Sequence, residues 1–201
     1  KSQKRCPKRC QVYFPVENKP DTFSENKPDT FSDAFSIEQV NTGTKNITMR
    51  FAGIDDAETV YAMIFALAEL LGDERKVVSS VDDFIEYGFS KRQAFEALLA
   101  EQDGQPVGIC LFFYSFSTWL GALGVYIQDL YVSDEARGSG LGRMLVAETA
   151  RIAAGRGANH LRLAVDSKNT DAQAFYESLG MKVRDDELIY QASGDAFAAL
   201  A

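Results

Sequence analysis

Residues 137–142, Arg-Gly-Ser-Gly-Leu-Gly, have the composition of an anion-binding loop. Three glycines in five positions would weaken a helix, because each costs roughly 1 kcal/mol relative to alanine. Glycine instead lets backbone N–H groups approach a ligand closely, and the first turn of a helix has N–H donors without internal acceptors and a partial positive charge. With Arg137 beside it, the loop suits a phosphate; a tight strand-to-helix turn without a ligand is the alternative.

The elements around this loop are predicted by hydrophobic spacing. Residues 126–132 form an apolar, partly β-branched run that predicts a mostly buried strand, and Leu141, Leu145 and Ile152 follow at near-helical spacing. Two known phosphate motifs do not fit. No Gly-Lys-Ser/Thr follows, and the glycine spacing lacks the third glycine of the dinucleotide fingerprint.

Two motifs in this order resemble the GNAT superfamily of N-acetyltransferases. Arg-x-x-Gly-x-Gly at residues 137–142 resembles its coenzyme A pyrophosphate loop, and residues 169–180 resemble its Asn-x-x-Ala-x-x-x-Tyr-x-x-x-Gly segment. Residues 81–89 and 112–121 look like the diamine (spermidine/spermine) acetyltransferase branch. The resemblance runs from about Ile47 to the C-terminus.

The resemblance implies that acetyl-CoA binds as cosubstrate where two central strands splay apart. Main-chain groups of Leu130, Tyr131 and Val132 would pair with its pantetheine arm. The pyrophosphate would be held by Arg137, Gly138, Ser139, Gly140, Leu141 and Gly142. Asn169 would contact the cofactor, cap a helix, or do both. Tyr176 would contact the cofactor and protonate the leaving thiolate, or alternatively pack its ring under the sheet.

The acceptor side departs from the diamine branch. Where those enzymes carry a Glu-Asp pair, this chain has Gln128-Asp129. Glutamine cannot take a proton at neutral pH, so the role of the glutamate must be met differently. Asp129 is the nearest carboxylate in sequence, but strict strand alternation predicts that it points to the other face. Water chains and Glu69 are the alternatives.

We expect Gln128 and Tyr176 at the catalytic centre, and Trp119, Gln128 and Glu69 at the substrate. The predicted reaction is direct attack by a neutral primary amine of a small molecule on the acetyl-CoA thioester. Two alternatives stay open: a protein N-terminus or lysine as the acceptor, and a non-catalytic acyl-CoA-binding regulator. The resemblance and the aromatic run over residues 112–119 predict a homodimer.

Four elements are predicted before the central strand. These are a strand over residues 47–51, a helix capped by Asp55 or Asp56 that carries Val60, Ile64, Leu67 and Leu71, a short helix from Ser80 with Asp83 completing a capping box, and a hairpin of residues 94–101 and 107–114 across Asp103-Gly104. Their order predicts an antiparallel meander.

Three elements are predicted after the central helix. These are a strand over residues 161–165, a helix over residues 171–179 with a Thr170–Gln173 capping box and Gly180 at its end, and a last strand over residues 182–192. A right-handed strand–helix–strand crossover makes the strands around the central helix parallel. The expected fold class is therefore α/β, a mixed α+β sheet of the GNAT type, with antiparallel strands first and a parallel pair at the centre.

Composition and charge limit the function classes. The 201 residues fit one domain with a real core, and no apolar run approaches the roughly 20 residues of a membrane span. Residues 1–46 contain eight Lys/Arg and six Asp/Glu, which leaves 13 and 23 of the totals of 21 and 29 for residues 47–201. This acidic part argues against non-specific nucleic-acid binding. We expect a soluble, cytoplasmic protein.

The two ends of the chain differ in character. Glu-Asn-Lys-Pro-Asp-Thr-Phe-Ser occurs twice in tandem at residues 17–32, within a polar segment that prolines interrupt. We predict that residues 1–46 are a disordered extension or a cloning or reading-frame artefact, with a short docking segment as the alternative, and that residues 47–201 are the acetyltransferase domain. Cys6 and Cys10 lack enough partners to predict a metal site.

Overall fold

The described part of the chain contains one mixed sheet of six strands. The computed structural model describes residues 40–42 and 45–201, which divide into two compact units, one ending at Leu163 and one spanning Ala164–Ala201. The first unit holds the sheet, whose described strands lie in chain order. They are β1 (Val40–Thr42), β2 (Lys45–Phe51), β3 (Glu96–Gln102), β4 (Gln105–Ser117), β5 (Ala122–Val132) and β6 (Ala158–Leu163).

The strand directions confirm the predicted fold class. Each neighbouring pair from β1 to β5 is antiparallel, and β5 and β6 are parallel. The parallel pair was predicted at the centre of the sheet, but it lies at one edge of the described sheet, because no described strand follows β6 there. The β3–β4 hairpin turns at Asp103 and Gly104, with φ of 53° and 78°, as the Asp-Gly signal predicted. β6 begins at Ala158, three residues before the predicted start, because its parallel pairing with β5 already begins there. β1 lies in the segment predicted as an extension; Cys6, Cys10 and the repeat lie outside the described residues.

Three helices pack on this sheet: α1 (Ala57–Leu71), α2 (Val81–Gly88) and α3 (Leu141–Gly155). The predicted capping box of α2 is confirmed, because Ser80 N and Oγ both donate to Asp83 Oδ2, at 2.7 and 2.8 Å. Asp56 precedes α1, but its carboxylate accepts from Gly53 N at 2.7 Å and so closes the turn before the helix. No helix in residues 45–201 has the length and apolarity needed to cross a membrane.

The two faces of the sheet bury different helices. Val60 and Met63 of α1 pack with Phe84 of α2 and with Ile109 and Leu111 of β4 on what we call the α1 face. The opposite α3 face approaches α3 closely at Gly108, where an added Cβ would lie 3.1 Å from Leu145 Cδ1. Helices therefore pack against both faces of the sheet. Leu71 was predicted to belong to the apolar stripe of α1, but its side chain is 49% exposed.

The second unit contains α4 (Thr170–Ser178) and α5 (Asp195–Ala198). The Thr170–Gln173 capping box predicted for α4 is wrong. The N-cap of α4 is Asn169, whose Oδ1 accepts from Ala172 N at 3.0 Å, and the Gln173 amide donates to the Asp166 and Ser167 carbonyls, so Thr170 is not the cap. Gly180 ends the helix region with φ 84°, as predicted.

The strand predicted over residues 182–192 is also wrong. The structure has no strand in that range, and Leu188, Ile189 and Tyr190 are each about four-fifths exposed or more. A β-prone run becomes a strand only when another strand supplies its hydrogen bonds. Within residues 164–201 there is no strand that could do so.

Candidate active site

A β-bulge interrupts β5 where the sequence departs from the diamine branch. Leu111 of β4 pairs with Asp129, and the next residue, Phe112, pairs with Ile127, so that Gln128 is an extra residue in β5. Paired residues on neighbouring strands point to the same side of a sheet. Asp129 therefore shares the α1 face with Leu111. The expectation from strict alternation across Gln128 is wrong, because the bulge shifts the phase of the strand.

The far half of β5 has a strand partner on one side only. Its pairing with β6 ends at Ile127 and Leu163, whereas its pairing with β4 continues to Val132. The β6-side backbone groups of residues 128–132 therefore have no partner strand among the described strands, although the Val132 carbonyl accepts a hydrogen bond from Arg137 Nε. Leu130, Tyr131 and Val132, whose main chain was expected to pair with a ligand, all lie in this open half.

The glycine loop begins directly after this open edge. Gly138 and Gly140 have φ of 74° and 84°, which L side chains rarely adopt, and an added Cβ on either would meet open space. Gly140 is the residue before α3, so the loop presents the first N–H groups of a 15-residue helix. Leu141 is buried to 1% exposure, which leaves its N–H, not its side chain, for a ligand.

Arg137 is held at the base of the loop. Its Nε donates to the Val132 carbonyl at 3.0 Å, and its Nη1 lies 2.7 Å from Asp134 Oδ1. The ion pair is solvent-exposed, so it contributes little and can exchange for a stronger anion. Ser139 Oγ donates to the Ala136 carbonyl at 2.6 Å, which tightens the turn. Arg137 lies four residues before the first residue of α3, and a cation near a helix N-terminus suits a phosphate.

The two polar residues at the bulge have different environments. Gln128 is exposed, whereas Asp129 is mostly buried, and burial raises the pKa of the Asp129 carboxyl to about 6. Among the described residues no ion pair or hydrogen bond of this carboxylate offsets its burial. A buried carboxylate without a partner is typical of a functional site.

The predicted substrate contacts lie at separate places in the first unit. Glu69 is exposed near the C-terminal end of α1. Trp119 is 66% exposed in the loop between β4 and β5, at the opposite end of β5 from the glycine loop. The six residue steps from Ala122 to Gln128 span about 20 Å along the strand. Contact of Trp119 and Glu69 with the substrate stays a prediction.

Asn169 and Tyr176 lie in the second unit, one before α4 and one on it. The Asn169 side chain serves as the helix cap, which was the alternative to a ligand contact. The half-buried Tyr176 ring meets the Phe175 ring edge-on, with centroids 5.0 Å apart. Their predicted roles toward a cofactor stay predictions.

Comparison with known proteins agrees with this geometry. The profile of the acetyltransferase (GNAT) family matches residues 64–181, which is more than half of the chain. Thialysine N-epsilon-acetyltransferase of Bos taurus is 33% identical over 144 residues, covering 67% of this chain and 83% of that protein. The human spermidine/spermine N(1)-acetyltransferase-like protein 1 is 25% identical over 66% of this chain and 20% of its own length.

A solved structure shares the fold at low sequence identity. An integron cassette protein from the mobile metagenome of V. cholerae superposes with a TM-score of 0.66 at 22% identity, covering 77% of this chain and 96% of that one. The strand, glycine loop and helix at residues 122–155 lie within the segment that the family profile matches. On these matches and this geometry, the chain belongs to the GNAT family of acetyltransferases.

Proposed function

We propose that this enzyme transfers the acetyl group of acetyl-CoA to the terminal primary amine of a small, amino-acid-like molecule. The observation that supports the proposal best is the open half of β5 running directly into the glycine loop. An extended pantetheine arm needs a row of unpaired backbone groups, and a pyrophosphate needs bare N–H groups beside a cation. Residues 128–132 and 137–142 offer these two features consecutively.

The residues present fit acetyl-CoA. The open space around Gly138 and Gly140 leaves room for phosphate oxygens at the first N–H groups of α3, and Arg137 is the first residue of the same loop. Leu130, Tyr131 and Val132 would donate and accept main-chain hydrogen bonds along the ligand. When bound, acetyl-CoA supplies an activated thioester, and the protein has to bind it, direct the amine to its carbonyl carbon and manage the protons.

The nature of the acceptor is argued from the relatives and from the bulge. The match to a thialysine N-epsilon-acetyltransferase is stronger and covers far more of that protein than the match to the spermidine/spermine-like protein. In addition, Gln128 replaces the acid expected of the diamine branch. Both observations favour an amine at the end of an amino-acid side chain over a polyamine. Gln128, Glu69 and Trp119 are the proposed contacts of that substrate.

Two residues of the second unit complete the proposal. Tyr176 is proposed to protonate the departing thiolate, and Asn169 to contact the cofactor in addition to capping α4. Both roles come from the match of residues 169–180 to the GNAT motif. We further propose direct attack in a ternary complex, a homodimer and a cytoplasmic location.

The test measures cofactor binding and turnover separately. A ligand that binds only the native state raises the free energy of unfolding by about 2.7 kcal/mol at a hundredfold excess over its dissociation constant. Millimolar acetyl-CoA should therefore raise the melting temperature. An unchanged melting temperature would contradict the cofactor assignment.

Release of free thiol from acetyl-CoA should then be measured with thialysine, lysine, ornithine, spermidine, diaminopropane and a lysine-containing peptide. We expect the three amino acids to be acetylated fastest. Faster turnover of the peptide would move the function to a protein acetyltransferase, and binding without turnover of any amine would favour the regulator.

A further inference from the structure

Asp129 is a mostly buried carboxylate without an ion pair to the residues that the structure describes. It is mostly buried on the α1 face, opposite Leu111, within a sheet whose core is apolar. A buried charge is normally paired, because removal from water disfavours it. No ion pair among the described residues includes Asp129, and burial alone explains its raised pKa.

The bulge places Asp129 beside the position where the resemblance to the diamine branch leads us to expect a glutamate. Asp129 follows directly after Gln128, at the start of the open half of β5. The Asp129 side chain is not fully buried, so it keeps some access to solvent or to a ligand. The neighbouring Gln128 is exposed and has no basic oxygen that could hold a proton.

The elements packed around Asp129 carry few groups that could compete for this role. Glu69 and Glu58 of α1 are exposed. The titratable groups on the strands and helix that pack at this part of the α1 face, or next to it, are Tyr61 of α1, Cys110 of β4, Tyr126 and Tyr131 of β5, and Arg162 of β6. Tyrosine, cysteine and arginine side chains are poor proton acceptors near neutral pH. Glu58, Glu69 and His160 of β6 can also accept a proton, but Asp129 is the mostly buried carboxylate at the bulge.

We propose that Asp129 accepts the proton of the substrate ammonium, directly or through one water molecule, in place of the glutamate that the diamine branch carries at the position of Gln128. This inference rests on the proposed function. The carboxylate takes one proton from R–NH3⁺, and the lone pair of R–NH2 then forms a C–N bond to the thioester carbonyl carbon. The C–S bond breaks, the nitrogen loses a second proton, and the thiolate gains one, which gives the amide, free thiol and one proton for solvent.

The acid side of the pH profile distinguishes this role from a structural one. The carboxylate must be ionised to take the proton, so kcat/KM should fall about tenfold per pH unit below pH 6, the region of the Asp129 pKa. Asp129→Asn should lower kcat at pH 7.5 at least a hundredfold and remove this acid limb. Asp129→Glu should restore kcat to within about tenfold of the wild type.

Three controls make the result decisive. The exposed Asp55→Asn variant should keep the wild-type rate and pH profile. Asp129→Asn should keep the acetyl-CoA-dependent rise in melting temperature, which shows that it is folded and binds cofactor. An unchanged kcat in Asp129→Asn, or a higher KM with unchanged kcat, would overturn the proposal and leave the acetyltransferase function intact. A wild-type chain with neither thermal shift nor thiol release would instead contradict the function itself.

Discussion

Asp129 also affects the stability of the fold as a function of pH. Its folded-state pKa of about 6 lies above the ordinary value of 3.8, so between these pH values the native state binds more protons than the unfolded state. Stability then falls as pH rises through this window, by about 3 kcal/mol at most. Because Asp129 lowers the stability of the fold at neutral pH, a role in catalysis explains this residue better than a role in folding.

Asp129→Asn should therefore stabilise the protein at pH 7.5, by up to about 3 kcal/mol, since a neutral amide of the same shape has no charge to desolvate. The gain should shrink as pH is lowered from 6 to 4. Urea unfolding at a series of pH values measures it, with Asp55→Asn as the exposed control. A less stable Asp129→Asn at pH 7.5 would mean that the carboxylate has a stabilising partner.

Tyr176 allows a second prediction at the scale of a residue. A thiol has a reference pKa of about 8.5, so its thiolate leaves readily and a tyrosine donor helps only modestly. Tyr176→Phe keeps the ring and its contact with Phe175, and should lower kcat by about tenfold to a thousandfold with little change in acetyl-CoA affinity. Wild-type kcat when chemistry limits the rate would reduce Tyr176 to a packing residue.

Local chemistry explains which residue roles could be predicted from the sequence. The Ser80–Asp83 capping box and the left-handed Asp103-Gly104 turn depend on neighbours along the chain, and both were predicted. The orientation of Asp129 was not, because it depends on how β4 and β5 align across the bulge. No residue near Gln128 marks that bulge in the sequence.

At the scale of elements, we expect the glycine loop and the first N–H groups of α3 to bind the pyrophosphate together. Gly140→Val should abolish the rise in melting temperature with acetyl-CoA, because a branched side chain would fill the open space proposed for the phosphate oxygens. At φ 84° the substitution also strains the backbone by about 1–3 kcal/mol. Gly157→Val is the matched control, since Gly157 has φ 91°, equally open surroundings and a position outside the loop.

The control should lower the melting temperature without ligand by a similar amount and keep the full ligand-dependent rise. Differential scanning fluorimetry with and without acetyl-CoA measures both quantities. If Gly140→Val keeps the rise, the loop does not hold the pyrophosphate.

Element boundaries could be predicted where hydrophobic spacing meets a clear stop signal. β5, the loop and α3 follow from such spacing, and the parallel β5–β6 pair follows from the handedness of the crossover. The run at residues 182–192 has the composition of a strand, but no local signal tells whether a partner strand is available. Strand pairing is a property of two segments, which explains why this element was predicted wrongly.

At the scale of the whole molecule, only some of the aromatic residues over residues 112–119 are exposed and available for the predicted homodimer interface. Phe112 is fully buried, and Phe113 stacks on Tyr126 with centroids 5.0 Å apart. The exposed members lie on the β4–β5 hairpin, where Phe116, Trp119 and Leu120 are 58%, 66% and 62% exposed. Several large exposed apolar side chains on one hairpin are a candidate interface.

Light scattering at micromolar concentration should therefore give a mass near twice the 22.2 kDa of the chain. Leu120→Glu should shift the mass to that of a monomer, because a carboxylate in an apolar interface loses its hydration. Val78→Glu is the matched control, as Val78 is 94% exposed and lies outside the hairpin. A monomer mass for the wild type would rule the dimer out.

The one-sided pairing of β5 has a consequence for handling the protein. A strand edge with free N–H and C=O groups is a template for any other extended chain, and natural proteins protect such edges to avoid aggregation. Here the open half is short, and it carries the Asp129 charge. A bound pantetheine arm would cover the same groups that drive edge-to-edge association. Preparations stripped of coenzyme A should therefore precipitate sooner on storage than those kept with it, whatever amine the enzyme acetylates.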